Sequence, residues 1–460
     1  MVAAFDMYVN QADWSYFLNS AMLTLFIGTM LFLSNRSSIK NISIRQGFLL
    51  TTTSWLSLSL LGALPFMLSG TVHSFHDAFF ETMSGLSATG ASIFADVEAL
   101  PPAILLWRSL LTAIGGIGIV IFAVALLPFL GIGGMQIFQR ENSDVGDKLM
   151  PKFHYIAKRI LIIYILFGVL CAGGYHWAGM NWFDAVNQAM STVATSGFST
   201  KNNSFAFWNS VKVETVAIIF MLLSSLPMTF YIMLLQNKFR HSLRTEQVKT
   251  FLKVLLLYIA GTTLWLLWRR VYPDFFTALR YAAFNVVSVS TTTGFASADF
   301  LTWGPLAVVV FIIFSFTGGC TGSTTGSIKI FRWQVVWAYM KHSLMQAVDP
   351  NRVVLIKIKQ YVIDYGVIAS VLVFISLFFL TIFTLTLVLC ISGMQFLPAL
   401  SAVIGCITNT GPGVVAAIGP AGSYGGLSAF AKDVLSLAML LGRLEILTVL
   451  VIFTKNFWRR

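Results

Sequence analysis

Residues 182–199 read WFDAVNQAMSTVATSGFS, and the pattern returns three times: FHDAFFETMSGLSATGAS at 75–92, LRYAAFNVVSVSTTTGFA at 279–296 and LPALSAVIGCITNTGPGV at 397–414. Each copy closes on hydroxyl residues and a glycine. These glycines are Gly90, Gly197, Gly294 and Gly411, separated by 107, 97 and 117 residues. The register extends upstream. Asp77 and Asp184 stand thirteen residues before their glycines, and Glu81, Gln188, Asn285 and Ala402 stand nine before. The helical stretch ahead of each glycine is too short to cross a bilayer, which takes about 20 residues. Each also lies between two apolar spans. They read as re-entrant pore helices, because non-helical backbone at membrane depth is tolerated only where it lines a cavity.

Outward from these segments the chain is membrane-like. It has 460 residues, 57% hydrophobic and 10% charged, too little charge to cover a soluble domain of this size. Apolar runs occupy about 14–33, 48–68, 104–129, 160–177, 211–235, 251–268, 306–316 continuing past 328, 361–391 and 434–453. The formal charge of +12 is a topology signal. Most basic residues fall in four short loops and the C-terminus: Arg36, Lys40, Arg45; Arg140, Lys148, Lys152, Lys158, Arg159; Lys238, Arg240, Arg244, Lys249, Lys253; Lys329, Arg332, Lys341, Arg352, Lys357, Lys359; and Lys455, Arg459, Arg460. By the positive-inside rule these segments are cytoplasmic, and the distribution excludes nucleic-acid binding. The four cysteines, Cys171, Cys320, Cys390 and Cys406, lie in or beside apolar runs without CxxC spacing, so neither a disulfide framework nor a zinc site is expected. The first run lacks a basic n-region and a cleavage site and reads as a retained span.

The expected fold is an all-α membrane protein of four parallel M1–P–M2 (helix–pore loop–helix) repeats around a central pore, plus one extra N-terminal transmembrane helix. The expected divisions are 1–45 for that helix and its loop, then repeats at 46–145, 146–245, 246–350 and 351–460. Every pore loop falls on the outer side, so the repeats are related by an axis along the membrane normal, unlike the inverted repeats common in secondary transporters.

A cation in such a pore exchanges its hydration shell for rings of backbone carbonyls. Turning consecutive carbonyls toward one axis takes dihedrals that favour glycine, and small hydroxyl residues add oxygens without blocking the lumen. The candidate potassium filter is Ala88-Thr89-Gly90, Thr195-Ser196-Gly197, Thr292-Thr293-Gly294 and Asn409-Thr410-Gly411. Each pore helix aims its negative C-terminal end at the cavity, favouring a cation. Glycine and threonine also pack transmembrane helices together; a single copy would not separate the two uses, and four registered copies do.

In the third repeat the second helix cannot run through. After Thr317 comes Gly318-Gly319-Cys320-Thr321-Gly322-Ser323-Thr324-Thr325-Gly326-Ser327, a poor helix at roughly mid-membrane. It is not a phosphate-binding loop, because no Gly-Lys-Ser/Thr follows. It reads either as a gate below the filter or as a kink without function. Arg443 lies near the middle of the last span, where an unpaired arginine costs about 2.5–3.5 kcal/mol, and Glu445 points across the helix from it. Arg443 reads as a charge narrowing the route beside the loop, or as half of a structural ion pair. Arg108, near the outer end of a span, reads as snorkelling or structural. No His/Cys/Glu constellation suggests catalysis or a metal site, so an enzyme is not expected.

The stretches GALPFMLSG, FFETMSGLSATGAS, WRSLLTAIGGIGIVIFAVALLPFLGIGGMQ, STVATSGFS, STTTGF, GGCTGSTTGSIKIFR, NTGPG and MLLGRLEILTVLVIF resemble the TrkH/TrkG/KtrB superfamily of bacterial potassium-uptake proteins, its TrkH branch most closely. The resemblance reaches from about residue 47 to the C-terminus. It implies potassium uptake across the bacterial inner membrane, with K+ as the transported ion and no organic cofactor on this chain. It also implies a homodimer in membrane lipid, with a cytosolic nucleotide-binding RCK/KTN-type (TrkA-like) regulator, and a gate at the loop of 318–327. Three features depart from the family. One helix precedes the first repeat instead of two. Ser87-Ala88 stands where Thr-Thr is typical, and Thr325-Gly326-Ser327 stands where a Gly-Gly pair is common. In related plant proteins a serine in place of the first filter glycine goes with sodium transport; Gly90 therefore favours potassium. The competing class is an ion-coupled K+/Na+ or K+/H+ symporter, which needs ionisable coupling residues along its spans. A non-transporting membrane scaffold is a third reading, disfavoured by four intact filter copies.

Overall fold

The computed structural model describes residues 2–8, 14–34, 43–125, 149–235, 246–351, 355–359 and 361–459. Of the basic residues that carry the topology expectation, Arg36, Lys40, Arg140, Lys148, Lys238, Arg240, Arg244, Arg352 and Arg460 lie outside the described residues.

The fold is four helix–pore helix–helix repeats following a first span, Trp14–Ser34. Only 11% of that span's apolar window is buried, so it sits at the periphery. It leans on repeat 1 through Phe17, whose ring meets Trp107 edge-on. The leading helices of the repeats are Ile44–Gly62, Leu149–Trp177, Glu246–Trp268 and Tyr365–Ile391. The pore helices are Phe75–Leu86, Trp182–Ala194, Phe275–Ser290 and Phe396–Ile407. Local chemistry starts two of these: Asn181 caps the second through the Asp184 N–H, and Asp274 caps the third through Phe276 and Thr277. Long rows of exposed apolar residues, such as Leu25, Phe26, Leu161, Ile162, Leu256, Leu257 and Phe383, face outward. Such a surface suits lipid rather than water. Among the described residues six helices are long and apolar enough to span a bilayer, eight if each bent pair is one span.

The trailing helices differ from the expected continuous runs. In repeat 1 the described trailing helix is Pro102–Ala125, and the end of the run expected to 129 lies outside the described residues. The expected span at 211–235 is broken into Val211–Ser225 and Met228–Leu235, bent by 88°. Pro227 is the physical reason: it offers no N–H and holds Leu226 in extended backbone. The expected span at 434–453 is broken into Ala429–Arg443 and Ile446–Phe453, bent by 111°. In repeat 3, as the glycine run requires, Pro305–Ser315 and Ile330–Val348 are separated by the loop. The run expected from 361 begins as a helix at Tyr365. Tyr361–Val362 instead pairs with Lys357–Ile358 in a two-residue antiparallel ladder.

The repeats close into a ring. The trailing helix of each packs on the pore helix of the next: Pro102–Ala125 on Trp182–Ala194, Val211–Ser225 on Phe275–Ser290, and Pro305–Ser315 on Phe396–Ile407. Ala429–Arg443 then returns to Phe75–Leu86. One continuous apolar cluster runs through all four units.

Candidate cation pore

The four glycine segments meet at the centre of that ring. A Cβ built on Gly90 would overlap the Gly197 backbone, 2.6 Å from its Cα; one on Gly197 would lie 2.9 Å from the Thr293 carbonyl oxygen. One on Gly294 would strike the Thr410 carbonyl and come 2.8 Å from Pro412, and one on Gly411 would lie 2.5 Å from the Thr89 carbonyl oxygen. The circuit 90, 197, 294, 411 and back to 90 is therefore closed, with no room for a side chain at any glycine. The residue two before each glycine adopts the left-handed conformation in all four copies: Ala88, Thr195, Thr292 and Asn409, with φ of 50°, 53°, 57° and 54°. Gly90, Gly294 and Gly411 are left-handed as well, at 83°, 84° and 93°, whereas Gly197 is not. Alternating the sign of φ turns successive carbonyls toward one side instead of alternating them as in a strand. Thr89, Ser196, Thr293 and Thr410 are buried between these pairs.

Two registered braces hold the segments. The hydroxyl three before the glycine meets the one immediately before it: Ser87 with Thr89 at 2.6 Å, Thr291 with Thr293 at 2.8 Å, Thr408 with Thr410 at 2.9 Å. Repeat 2 has Ala194 at the first position, and the Ser196 hydroxyl has no partner among the described residues. The polar residue nine before the glycine ties the outgoing strand. Glu81 accepts from Ser92 and from the Ile93 N–H, Gln188 donates to Ser199 at 2.7 Å, and Asn285 donates to Ser297 at 3.1 Å. Beside Ala88, Asn409 reaches across from repeat 4 and donates to the Thr89 hydroxyl at 2.9 Å.

The loop of 318–327 lies against the deep end of this ring. The Gly326 N–H donates to the Thr292 hydroxyl at 2.7 Å, and Thr195 meets Thr324 at 3.3 Å. A Cβ on Gly326 would come within 2.5 Å of the Thr408 carbonyl oxygen. The loop is seated in the break of repeat 2. Cys320 N–H donates to the Ser225 carbonyl at 2.9 Å, and the Thr324 N–H and hydroxyl donate to the Ser224 carbonyl at 3.3 and 3.1 Å. The Met228 N–H returns a bond to the Gly322 carbonyl at 3.0 Å. Helix ends leave such groups orphaned, so the Pro227 break and the loop satisfy one another. Within the loop, Gly318 N–H bonds Ile328, Gly319 N–H bonds the Thr325 hydroxyl, and Ser323 bonds Cys320 and Thr325. Thr321 N–H reaches Gln247 at 3.2 Å. Ser327 takes a φ of 56° and donates to the Ser315 carbonyl at 2.6 Å.

Arg443 is the last residue of its helix, not a mid-span residue, and is 3% exposed. Its guanidinium donates to the Thr324 carbonyl at 2.8 Å and to the Gly115 carbonyl at 3.4 Å, joining the loop to the trailing helix of repeat 1. Glu445 sits in the break itself with φ 62° and pairs with Arg332 at 2.6 Å. Arg332 also stacks on Phe374, 3.7 Å from the ring centroid. Lys329 turns inward too and donates to Thr325. Lys329 and Arg332, counted among the basic residues of the cytoplasmic segment, thus turn away from its surface, where Lys341, Lys357 and Lys359 remain exposed. Arg108 does not snorkel. It is buried at 2.8 Å from Glu81, and donates to Ser92 and to the Ser199 carbonyl. Behind repeat 1, Lys432 pairs with Asp77 at 2.5 Å; between repeats 2 and 3, Arg280 pairs with Glu214 at 2.8 Å.

Sequence reasoning missed the hydroxyls at Ser87, Thr291 and Thr408, although their register was visible once the four segments were aligned. It missed the Arg332–Glu445 pair because 113 residues separate the partners and no local pattern joins them.

The sequence matches the model of the TrkH family, described as a cation transport protein, over residues 14–460. It is 40% identical over 416 residues to the Trk system potassium uptake protein TrkI of Halomonas elongata, covering 90% of this chain and 84% of that one. It is 37% identical to TrkH of the same organism, covering 97% and 93%, and 34% identical to TrkG of Escherichia coli, covering 98% and 93%. The crystal structure of the potassium transporter TrkH from Vibrio parahaemolyticus superposes with a TM-score of 0.92 at 32% identity, covering all of this chain and 95% of that one.

Proposed function

The chain belongs to the TrkH family of cation transport proteins, a multi-pass membrane transporter and not an enzyme, and from that premise we propose that it is the pore subunit of a potassium-uptake system. The four glycine segments are the selectivity filter, conducting K+ and Rb+ inward. Ala88, Thr89 and Gly90 and their counterparts at 195–197, 292–294 and 409–411 supply the oxygens. The units run 46–145, 146–245, 246–350 and 351–460, after 1–45. The observation that carries this reading is the closed circuit of glycines, each without space for a Cβ beside its neighbour's backbone. A carbonyl ring of this kind replaces the hydration shell of a cation.

The loop of 318–327 with Arg443 is the gate. It bonds to the deep ends of filter segments 2 and 3 and is anchored at the break of repeat 2, so a shift of that break moves the loop. A cytosolic nucleotide-binding regulator of the RCK/KTN type, acting on a homodimer in the bacterial inner membrane, would bias the shift. The exposed Lys341 and Lys357 suit an acidic docking face, while Lys359 beside them is paired with Glu246. Channel-like conduction is favoured over ion-coupled symport because Glu81, Glu214 and Glu445 are each held in an ion pair with an arginine rather than standing free along the spans as coupling sites. Rubidium and sodium flux into liposomes tests the proposal with Gly294→Ser. Loss of rubidium preference is expected; a variant that discriminates as the unaltered protein does would remove Gly294 from the filter.

A further inference from the structure

Repeat 4 is built differently behind its filter segment. Nine residues before the glycine it has Ala402 where its siblings have Glu81, Gln188 and Asn285. Six before, it has Gly405 where they have Ser84, Ser191 and Ser288. In repeat 3 the Ser288 hydroxyl donates to the Phe295 carbonyl at 2.6 Å, so there the pore helix holds the strand that leaves the filter, whereas the Ser84 and Ser191 hydroxyls have no partner among the described residues. Gly405 has no hydroxyl to offer. Instead the Tyr424 hydroxyl, from the segment beyond the filter, donates at 2.7 Å to the carbonyl of the filter glycine itself, Gly411, one residue before the counterpart of Phe295. The missing side chain admits it: a Cβ on Gly405 would lie 3.2 Å from that hydroxyl and 2.9 Å from the Gly411 carbonyl oxygen.

Tyr424 is itself fixed from repeat 1. Its ring is buried against Phe80 of the first pore helix, 5.4 Å between centroids, and its N–H donates to the Ser92 carbonyl at 2.8 Å. The Ser92 hydroxyl in turn bonds Glu81 and Arg108. One residue, through its hydroxyl on one side and its backbone N–H on the other, therefore ties the Gly411 peptide plane to the buried ion pair of repeat 1. It does so at the seam where the ring closes and a Cβ on Gly411 would lie 2.5 Å from the Thr89 carbonyl oxygen.

We infer that Tyr424 is a specificity-determining positioning residue, whose hydroxyl holds the Gly411 peptide plane in one orientation and so sets the cation spacing at the seam between repeats 4 and 1. This rests on the reading of the four glycines as an ion filter. A carbonyl released from its donor is free to turn, and a ring with one loose member adapts to a smaller ion.

The test is Tyr424→Phe in the purified full-length protein in liposomes, with rubidium and sodium influx measured separately beside Gly411→Ala. The phenylalanine keeps the ring on Phe80 and removes one oxygen. The ratio of rubidium to sodium influx is expected to fall by about threefold to tenfold, the scale of one hydrogen bond, in protein that still elutes as a folded species. A fall in both fluxes at constant ratio would make Tyr424 merely structural and overturn the inference. An unchanged ratio in Tyr424→Phe with an altered one in Gly411→Ala overturns it alone. An unchanged ratio in both removes the filter reading as well.

Discussion

Replacing Arg443 by alanine removes two things at once. One is a positive charge beside the loop. A cation passing such a charge at about 6 Å meets roughly 3 kcal/mol at an effective dielectric near 20, enough to slow transport about a hundredfold. The other is a tether. The bond to the Thr324 carbonyl at 2.8 Å is charge-assisted, and such bonds contribute about 1.5–3 kcal/mol. Thr324 keeps two further bonds to the Ser224 carbonyl, so the loop loosens without leaving its seat. Both losses favour the open pore, and Arg443→Ala should raise rubidium uptake per folded protein. Two companions separate them. Arg443→Gln keeps a donor and loses the charge; Arg443→Lys keeps the charge and cannot reach both the Thr324 and Gly115 carbonyls. Charge control predicts a rise in the glutamine variant and little change in the lysine variant, and tether control predicts the reverse. Deleting part of 318–327 should raise uptake as well. Unchanged uptake in well-folded Arg443→Ala would refute the role given to this arginine and leave the filter untouched.

Alanine at Gly90, Gly294 or Gly411 should cost about 1–2 kcal/mol more than at Gly197, because only the first three require a left-handed φ; melting temperature and the rubidium-to-sodium ratio of the four variants check the ranking. Glu81→Gln leaves Arg108 buried without its carboxylate and should destabilise the protein by about 3–5 kcal/mol. Adding Arg108→Gln should recover part of that in a thermal melt, and additivity of the two would mean the pair is not coupled.

What the sequence displays plainly is whatever repeats. The four hairpins and their short pore helices follow from a shared register, and so would the hydroxyl brace at Ser87, Thr291 and Thr408; the left-handed turn at Ala88, Thr195, Thr292 and Asn409 does not, because none of these is glycine. The break at Pro227 was legible from the proline alone, yet strong hydropathy on both sides of it suggested a continuous span. The break after Arg443 carries no such mark. It depends on Glu445 holding an unusual backbone conformation against Arg332, a tertiary contact between distant segments. The same holds for Tyr424: its partner Gly411 is near in sequence, but the vacancy it fills exists only because Gly405 lacks a side chain. The buried pairs Glu81–Arg108, Glu214–Arg280 and Asp77–Lys432 each link different helices, so no local pattern in the sequence joins their members.

The central claim is a potassium-selective pore, and current through single molecules tests it most directly. Purified protein in a planar bilayer, with potassium on one side and sodium on the other, should show unitary currents that reverse at a potential favouring potassium. That preference should weaken in Gly294→Ser. Slow saturable exchange without unitary events, or currents that reverse at zero under the same gradient, would contradict it.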